Sequence, residues 1–139
     1  MNISNLNKHL FYRNLYYNQE FREIINTLNE NDLADFCRAN DDLLTSEDFS
    51  IILLRRKLSE KFLREFFDKC YSDYISALQN LSETFIEDYA DRLDWECISF
   101  YQTLSEDFIE KHKDKVIWPF IFKYQSLSKE FIKKYQVYV

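Results

Sequence analysis

The sequence LSEDFI at residues Leu104–Ile109 is one of several copies of a motif that decides the fold. The copies are LSEKFL at 58–63, LSETFI at 81–86, LSEDFI at 104–109 and LSKEFI at 127–132. Successive copies start 23 residues apart, and such a fixed period is the signature of a repeat protein. The serine of each copy suits a helix N-cap, because its hydroxyl can accept a hydrogen bond from a first-turn backbone N–H. Each copy therefore predicts the start of a helix.

Apolar residues around each serine predict how the helices pack. Leu104 before the cap and Ile109 in the first turn form a hydrophobic staple, and Phe108, His112 and Val116 continue an apolar stripe. A second apolar set follows in each repeat: Tyr74, Ile75 and Leu78, then Trp95, Cys97, Ile98 and Tyr101, then Trp118, Phe120, Ile121 and Tyr124. We predict that each repeat is a pair of short helices, which must stack on neighbouring pairs to bury these residues.

The composition of the 139 residues favours an all-α fold. Glycine is absent and Pro119 is the one proline, whereas sheet proteins and nucleotide-binding enzymes normally build their tight turns from glycine. Hydrophobic residues make up 46% of the chain, which is enough for a core. We therefore predict an all-α protein in which short helix pairs stack as a small α-solenoid.

The repeats organise the chain as one predicted domain, 1–139. Residues 1–30 lack the motif and are predicted to form an N-terminal helical cap, because the open end of a solenoid needs a cover. Asn18 suits the N-cap of its second helix, whose apolar residues are Phe21, Ile24, Ile25 and Leu28. The other predicted units are a divergent repeat at 31–57, full repeats at 58–80, 81–103 and 104–126, and a terminal half repeat at 127–139.

The repeat resembles a short helical repeat found in uncharacterised proteins of giant viruses and phages. The shared pattern is LSExFIxx(Y/H)xD(K/R)(L/V)xWxxIxxYQ. It is matched most sharply by Leu104–Ile109 and by Asp94, Trp95, Ile98, Tyr101 and Gln102. The resemblance covers 58–139 well and 35–57 weakly, and the residues that depart from it are Ser72, Leu78 and Pro119. It implies a viral, phage or mobile-element origin and a binding scaffold, and it supplies no catalytic residue.

No residue set has the pattern of a catalytic, cofactor or metal site. His9, His112 and the cysteines are scattered, whereas metal ligands cluster at characteristic spacings. His112 shares a repeat position with Phe66 and Tyr89, so core packing is expected for it. The repeated serines already have a capping role, and the glycine-supported turn of a nucleophilic serine is missing from the sequence. We predict a protein that is not an enzyme and has no cofactor.

The cysteines and glutamines are interpreted as structural residues. The cysteines are odd in number and have no close pairing, which predicts reduced core thiols; they are Cys37, Cys70 and Cys97. A glutamine recurs at one repeat position, as Gln79, Gln102 and Gln125. Recurrence at a fixed position predicts a hydrogen bond between stacked repeats rather than a ligand contact.

Charged residues supply two candidate partner-binding sets. The formal net charge of −6 disfavours general binding to nucleic acid phosphates. The acidic set either docks on a basic protein surface or is a solvated helix face. The basic set either contacts a partner, including nucleic acid, or neutralises nearby acids. The acidic candidates are Glu83, Glu87, Asp88, Asp91 and Glu96, and the basic candidates are Arg55 and Arg56.

The apolar residues near the C-terminus leave two alternatives open. This segment either folds back over the last helix or meets another molecule. In the second case it would form a self-association surface, whose candidate residues are Phe131, Ile132, Tyr135 and Val137.

These observations indicate a class of function. We expect a protein-binding module, encoded by a phage or virus, that binds and inhibits a host protein complex such as a CRISPR–Cas effector. One alternative is a structural protein that assembles with copies of itself as a homo-oligomer. The other is a weak nucleic-acid binder. Neither a membrane-spanning run nor a secretion signal is evident, so we expect the protein to act in the host cytoplasm.

Overall fold

The computed structural model of the chain describes residues 19–138. All regular secondary structure in this range is helical, which confirms the all-α class. The chain divides into two compact units, Met1–Tyr71 and Ser72–Val139. The boundary falls between the two helices of the predicted repeat 58–80. The first predicted helix of the N-terminal cap, together with His9 and Asn18, lies outside the described residues.

The first unit contains the second predicted helix of the cap and the divergent repeat. Its described helices are α1 (Gln19–Thr27), α2 (Glu30–Ala39), α3 (Ser46–Arg55) and α4 (Glu60–Glu65), with a 3-10 turn at Phe67–Lys69. The predicted stripe of α1 is confirmed, because Phe21, Ile24 and Ile25 are buried. Helix α1 packs against α3.

Helix α3 begins with a capping box that the repeat pattern did not indicate. The Thr45 hydroxyl accepts from the backbone N–H of Asp48 at 3.3 Å, and the Asp48 carboxylate accepts from the backbone N–H of Thr45 at 2.8 Å. These two reciprocal bonds satisfy donors that lack helical partners. They explain why Asp48, although charged, is buried.

The second unit contains the clear repeats. Its helices are α5 (Ser72–Leu78), α6 (Glu83–Asp88), α7 (Trp95–Tyr101), α8 (Glu106–Lys111), α9 (Trp118–Tyr124) and α10 (Lys129–Tyr135), with a 3-10 turn at Gln136–Tyr138. These are the predicted pairs, in which α6, α8 and α10 are first helices and α5, α7 and α9 are second helices. Helix α7 packs against both α5 and α9, so the second helices lie side by side.

The predicted helix caps are confirmed. Each repeated serine accepts a hydrogen bond from the backbone N–H of the phenylalanine three residues later, at 3.1 to 3.3 Å; the caps are Ser59, Ser82, Ser105 and Ser128. Asp94 caps α7 by accepting from the backbone N–H of Cys97 at 2.9 Å. Pro119 lies in the first turn of α9, where the missing N–H has no helical acceptor. The repeat period therefore fixes where these helices begin.

The predicted glutamine link between repeats is also confirmed. The amide of Gln102 donates to the carbonyls of Ser76 and Gln79 at 2.8 and 2.7 Å and accepts from the backbone N–H of Leu81 at 3.1 Å. Gln125 makes the equivalent contacts one repeat later, to Ser99, Gln102 and Leu104. Each glutamine thus ties its own helix end to the preceding repeat. The α-solenoid for the whole chain stays a prediction.

The second helices bury one face and expose another. Ile75, Ile98 and Ile121 share a repeat position and have no exposed surface. Tyr101 and Tyr124 share another position and are 58% and 42% exposed. The prediction that both belong to a buried apolar set is therefore wrong. A short helix flanked by a neighbour on each side can bury only part of its circumference.

Candidate protein-binding surface

The acidic candidates Glu87 and Asp91 pair with basic residues of the next repeat. The Glu87 carboxylate contacts Lys111 Nζ at 2.9 Å and His112 Nε2 at 2.6 Å. Asp91 contacts Lys115 Nζ at 2.9 Å. These partners hold the pKa of both carboxyl groups below its usual range. Both residues are exposed, and basic residues of the same chain neutralise their charge. Docking of the acidic set on a basic protein stays a prediction.

Glu83 has a structural role as well. Its carboxylate accepts from the backbone N–H of Ser105 at 2.5 Å, and Glu106 contacts Ser128 in the same way one repeat later. In the first unit, Glu30 accepts from the backbone N–H of Ser59 at 2.6 Å. Each carboxylate thus joins the first turn of one helix to the cap of another. The other two acidic candidates, Asp88 and Glu96, lie on the surface.

His112 lies at the boundary of the core, as its repeat position predicts. Its ring packs 4.5 Å from the Phe108 ring and 5.0 Å from the Trp95 ring, measured between centroids. The contact with Glu87 was not predicted, because the two residues are 25 positions apart. A comparison of the charges at a separation of about one repeat could have found it.

The two basic candidates belong to the first unit and differ in exposure. The guanidinium of Arg56 donates to the backbone carbonyls of Ile25 and Leu28 at 3.0 and 2.6 Å. These carbonyls lie at the end of α1, where helical partners run out, so Arg56 closes that helix. Arg55 is exposed. Arg56 is thus held by contacts within the chain.

The candidate self-association residues divide into a buried and an exposed pair. Phe131 and Tyr135 are buried against Trp118, with ring centroids 6.4 and 4.8 Å apart. Tyr138 also stacks on Trp118, at 4.7 Å, so the segment through residue 138 folds back over α9. Ile132 and Val137 are exposed. Phe131 and Tyr135 are therefore covered within the chain, and self-association stays a prediction for which Ile132 and Val137 supply the exposed side chains.

A partly exposed aromatic cluster on α7 and α9, with two half-buried and two exposed rings, was not recognised from the sequence. We name it the aromatic face, and it consists of Phe100, Tyr101, Phe120 and Tyr124. The Phe100 ring lies 4.4 Å from Tyr101, 4.2 Å from Tyr124 and 5.3 Å from Phe120, the last in an edge-on arrangement. Phe100 thus joins two neighbouring helices, while both tyrosines stand in solvent.

The geometry of α7 explains why these rings are outside. Ile98 and Ser99 are buried, and at 100° per residue Phe100 and Tyr101 point to the opposite side of the helix. Consecutive aromatic residues after a buried pair cannot all face one core. The signal available in the sequence was therefore an apolar set wider than one helix face.

The remaining reactive side chains of the described residues form no clear chemical site. Residues 19–138 hold no group of three or more His, Cys, Asp or Glu side chains that could bind a metal. All three cysteines are free, and burial raises the pKa of the Cys37 and Cys70 thiols to about 12. A thiol with so high a pKa is a poor nucleophile near neutral pH. None of the described helices has the length and apolar character needed to cross a bilayer.

Comparisons with protein-family models, with curated proteins and with solved structures gave no match to the chain.

Proposed function

We propose that this chain is a non-catalytic protein-binding module that acts through the aromatic face. The observation that carries the proposal is the exposure of Tyr101 and Tyr124 on neighbouring helices, with Phe100 between them. Clustered aromatic side chains are common at the centres of protein interfaces, where they bury a large area at little cost in conformational entropy. An exposed cluster of rings is also unfavourable in water unless a partner covers it.

The roles of the polar side chains support a non-catalytic reading. Ser105 caps a helix, Gln102 bonds to backbone groups, and His112 is held between two rings and Glu87. A catalytic group must instead present its reactive atom to a substrate. The polar atoms that recur through the repeats are used to hold the repeats together.

The narrower proposal concerns the identity of the partner. The resemblance of the repeat to viral and phage proteins supports a host protein complex as the target, with inhibition of a CRISPR–Cas effector as the leading case. Mixing the purified protein with candidate effectors tests this part directly. If every candidate complex stays unbound and fully active, the narrower proposal is contradicted, whereas binding through the aromatic face could still hold.

A pull-down with matched variants tests the main proposal. The tagged wild type and the double variant Tyr101→Ala/Tyr124→Ala are incubated with the same host lysate, and bound proteins are identified by mass spectrometry. We expect one stoichiometric partner on the wild type and its loss from the variant. Ile117→Ala, which removes another exposed apolar side chain, is the control and should retain the partner. A partner that binds all three proteins equally contradicts the role of the aromatic face.

Self-association is the second candidate function. Ile132 is 42% exposed although the equivalent Ile86 and Ile109 have no exposed surface, and Val137 is 80% exposed. A second copy of the chain could cover both side chains. We expect Ile132→Asp/Val137→Asp to lower the molar mass measured by light scattering if this candidate is correct. A wild type that stays monomeric at high concentration removes it.

A further inference from the structure

The aromatic face is bordered by carboxylates at one end. Asp73 and Glu96 share a repeat position in the first turns of α5 and α7, and both are exposed. Cys97 lies on the same side of α7 as Phe100 and Tyr101, being three and four positions before them. Burial raises the pKa of the Cys97 thiol to about 11, and the nearby Asp94 carboxylate, followed by Asp73 and Glu96, adds to this effect. Glu96 is four positions before Phe100 and so lies on the same side of α7, and Asp73 takes the equivalent position on α5, which packs beside α7.

These two carboxylates differ from the acids on the first helices and on the turns that follow them. Glu87, Asp91 and Glu110 each pair with a lysine of the next repeat. Within residues 19–138, no ion pair involves Asp73 or Glu96. Their charge is available to a partner, in addition to the overall formal charge of −6.

We propose that the aromatic face, together with Asp73 and Glu96, binds an arginine-bearing segment of a partner protein. A planar guanidinium can stack on the Tyr101 ring and donate hydrogen bonds to a nearby carboxylate. The same acids repel the phosphates of a nucleic acid. This inference rests on the proposed function, because it names the chemistry of the partner that the module binds.

The other end of the face sets the orientation of the segment. Lys123 follows Phe122 on α9, and its ammonium lies 5.2 Å from the centre of the Tyr124 ring. This cation already occupies the position above Tyr124 that an arginine could take. In the proposed complex, the arginine side chains of the bound segment therefore point toward α5 and α7. Its apolar side chains lie against Phe120.

Fluorescence anisotropy with three labelled peptides tests the chemistry of the segment. The first alternates arginine with leucine, the second replaces arginine by lysine, and the third replaces it by citrulline, which has a similar shape but no charge. We expect the arginine peptide to bind about tenfold more tightly than the lysine peptide, and the citrulline peptide more weakly still. Equal binding of the arginine and citrulline peptides, or no arginine-peptide binding up to about 1 mM, overturns the inference.

Variants of the protein test the location. We expect Asp73→Asn/Glu96→Gln to lower the affinity for the arginine peptide about tenfold. Lys123→Glu should raise this affinity, because it replaces a charge that repels arginine by one that attracts it. The control Asp107→Asn/Asp114→Asn removes the same charge from exposed positions of another repeat segment and should leave affinity almost unchanged. Equal weakening by the control overturns the inference, because it would show general charge attraction.

Two further outcomes separate this inference from the proposed function. A single-stranded DNA or RNA oligonucleotide that competes better than the arginine peptide overturns both. A pull-down partner that is lost with Tyr101→Ala/Tyr124→Ala but retained with Asp73→Asn/Glu96→Gln overturns only the inference. Circular dichroism and urea unfolding of each variant establish that the exposed substitutions leave the fold intact.

Discussion

Within residues 72–138, the first helices and the turns after them carry carboxylates paired with lysines, whereas the second helices α7 and α9 carry exposed aromatic rings. Charged side chains usually face solvent and aromatic side chains usually enter the core. Here Glu87 and Asp91 bind lysines of the next repeat, whereas Tyr101 and Tyr124 stand in solvent. In this unit, the position of a side chain in the repeat decides whether it pairs with the next repeat or stays exposed, and its polarity does not.

The largest expected effect separates two positions of one helix. Ile98→Ala should lower the free energy of unfolding by about 3 kcal/mol, because it empties a fully buried site. Tyr101→Ala, three residues later, should lower it by under about 1 kcal/mol, since its ring is mostly in solvent. Urea unfolding of both variants measures the difference. Similar losses would contradict the assignment of Tyr101 to an exposed face.

The glutamine links are expected to have a slightly smaller effect. Gln102→Ala leaves two carbonyls and one N–H without their partner, and we expect a loss of about 2 to 3 kcal/mol. Gln125→Ala removes equivalent bonds at a less buried site, so water can replace them and the loss should be smaller. Thermal unfolding gives both values. An equal or larger loss for Gln125→Ala would contradict the role of burial.

A cap variant tests the motif that defines the repeat. Ser105→Ala removes the hydroxyl that accepts from the Phe108 N–H, and we expect a loss of about 1 kcal/mol. Ser105→Asp restores an acceptor but places a charge beside the Glu83 carboxylate, so it should recover only part of that loss. Ser126→Ala, an exposed position outside the motif, is the control. A Ser105→Ala protein as stable as wild type in urea would contradict the cap.

Acid pH tests the charged first helices. Their lysine partners lower the folded-state pKa of Glu87, Asp91 and Glu110 relative to the unfolded chain. The resulting stability is present above the unfolded-state pKa values and is lost as pH falls through the folded-state values. We expect the urea midpoint to decrease from about pH 5 downward.

A matched pair of variants isolates one charged link in that experiment. Glu87→Gln should reduce the acid-dependent part of the decrease, because glutamine does not titrate. Glu96→Gln, which has no ion-pair partner within residues 19–138, should follow the wild-type curve. An unchanged pH profile for Glu87→Gln would mean that its contacts with Lys111 and His112 do not stabilise the fold.

Much of the local structure could be predicted from the sequence because it depends on nearby residues. A cap such as Ser105 bonds to an N–H three positions later, so the motif contains both partners. The glutamine link was predictable as well, because recurrence at position 102 and its equivalents reveals contact with the neighbouring repeat. The capping box at Thr45 was missed because the divergent repeat obscures the period there.

The candidate site could not be predicted in the same way. Glu87, Asp91 and Arg56 looked available to a partner, yet each one contacts groups that lie more than 20 residues away. The aromatic face looked like core, since apolar periodicity reports that a residue is apolar but not which neighbour covers it. Phe131 and Tyr135 were predicted to lie on a surface, but Trp118 covers both rings. The apolar pattern near the C-terminus could not reveal this cover.

The helical class, the 23-residue period, the start of each repeated helix and the glutamine that joins repeats can all be predicted from the order of the amino acids. These features follow from hydrogen bonds within a few residues and from side chains that recur at one position. Which charges are neutralised and which rings stay in solvent became visible only in the packed helices. The charges pair because residues such as Glu87 and Lys111 of successive repeats come together. The rings stay in solvent because α5, α7 and α9 lie side by side, which leaves one face of each helix without a neighbour among them.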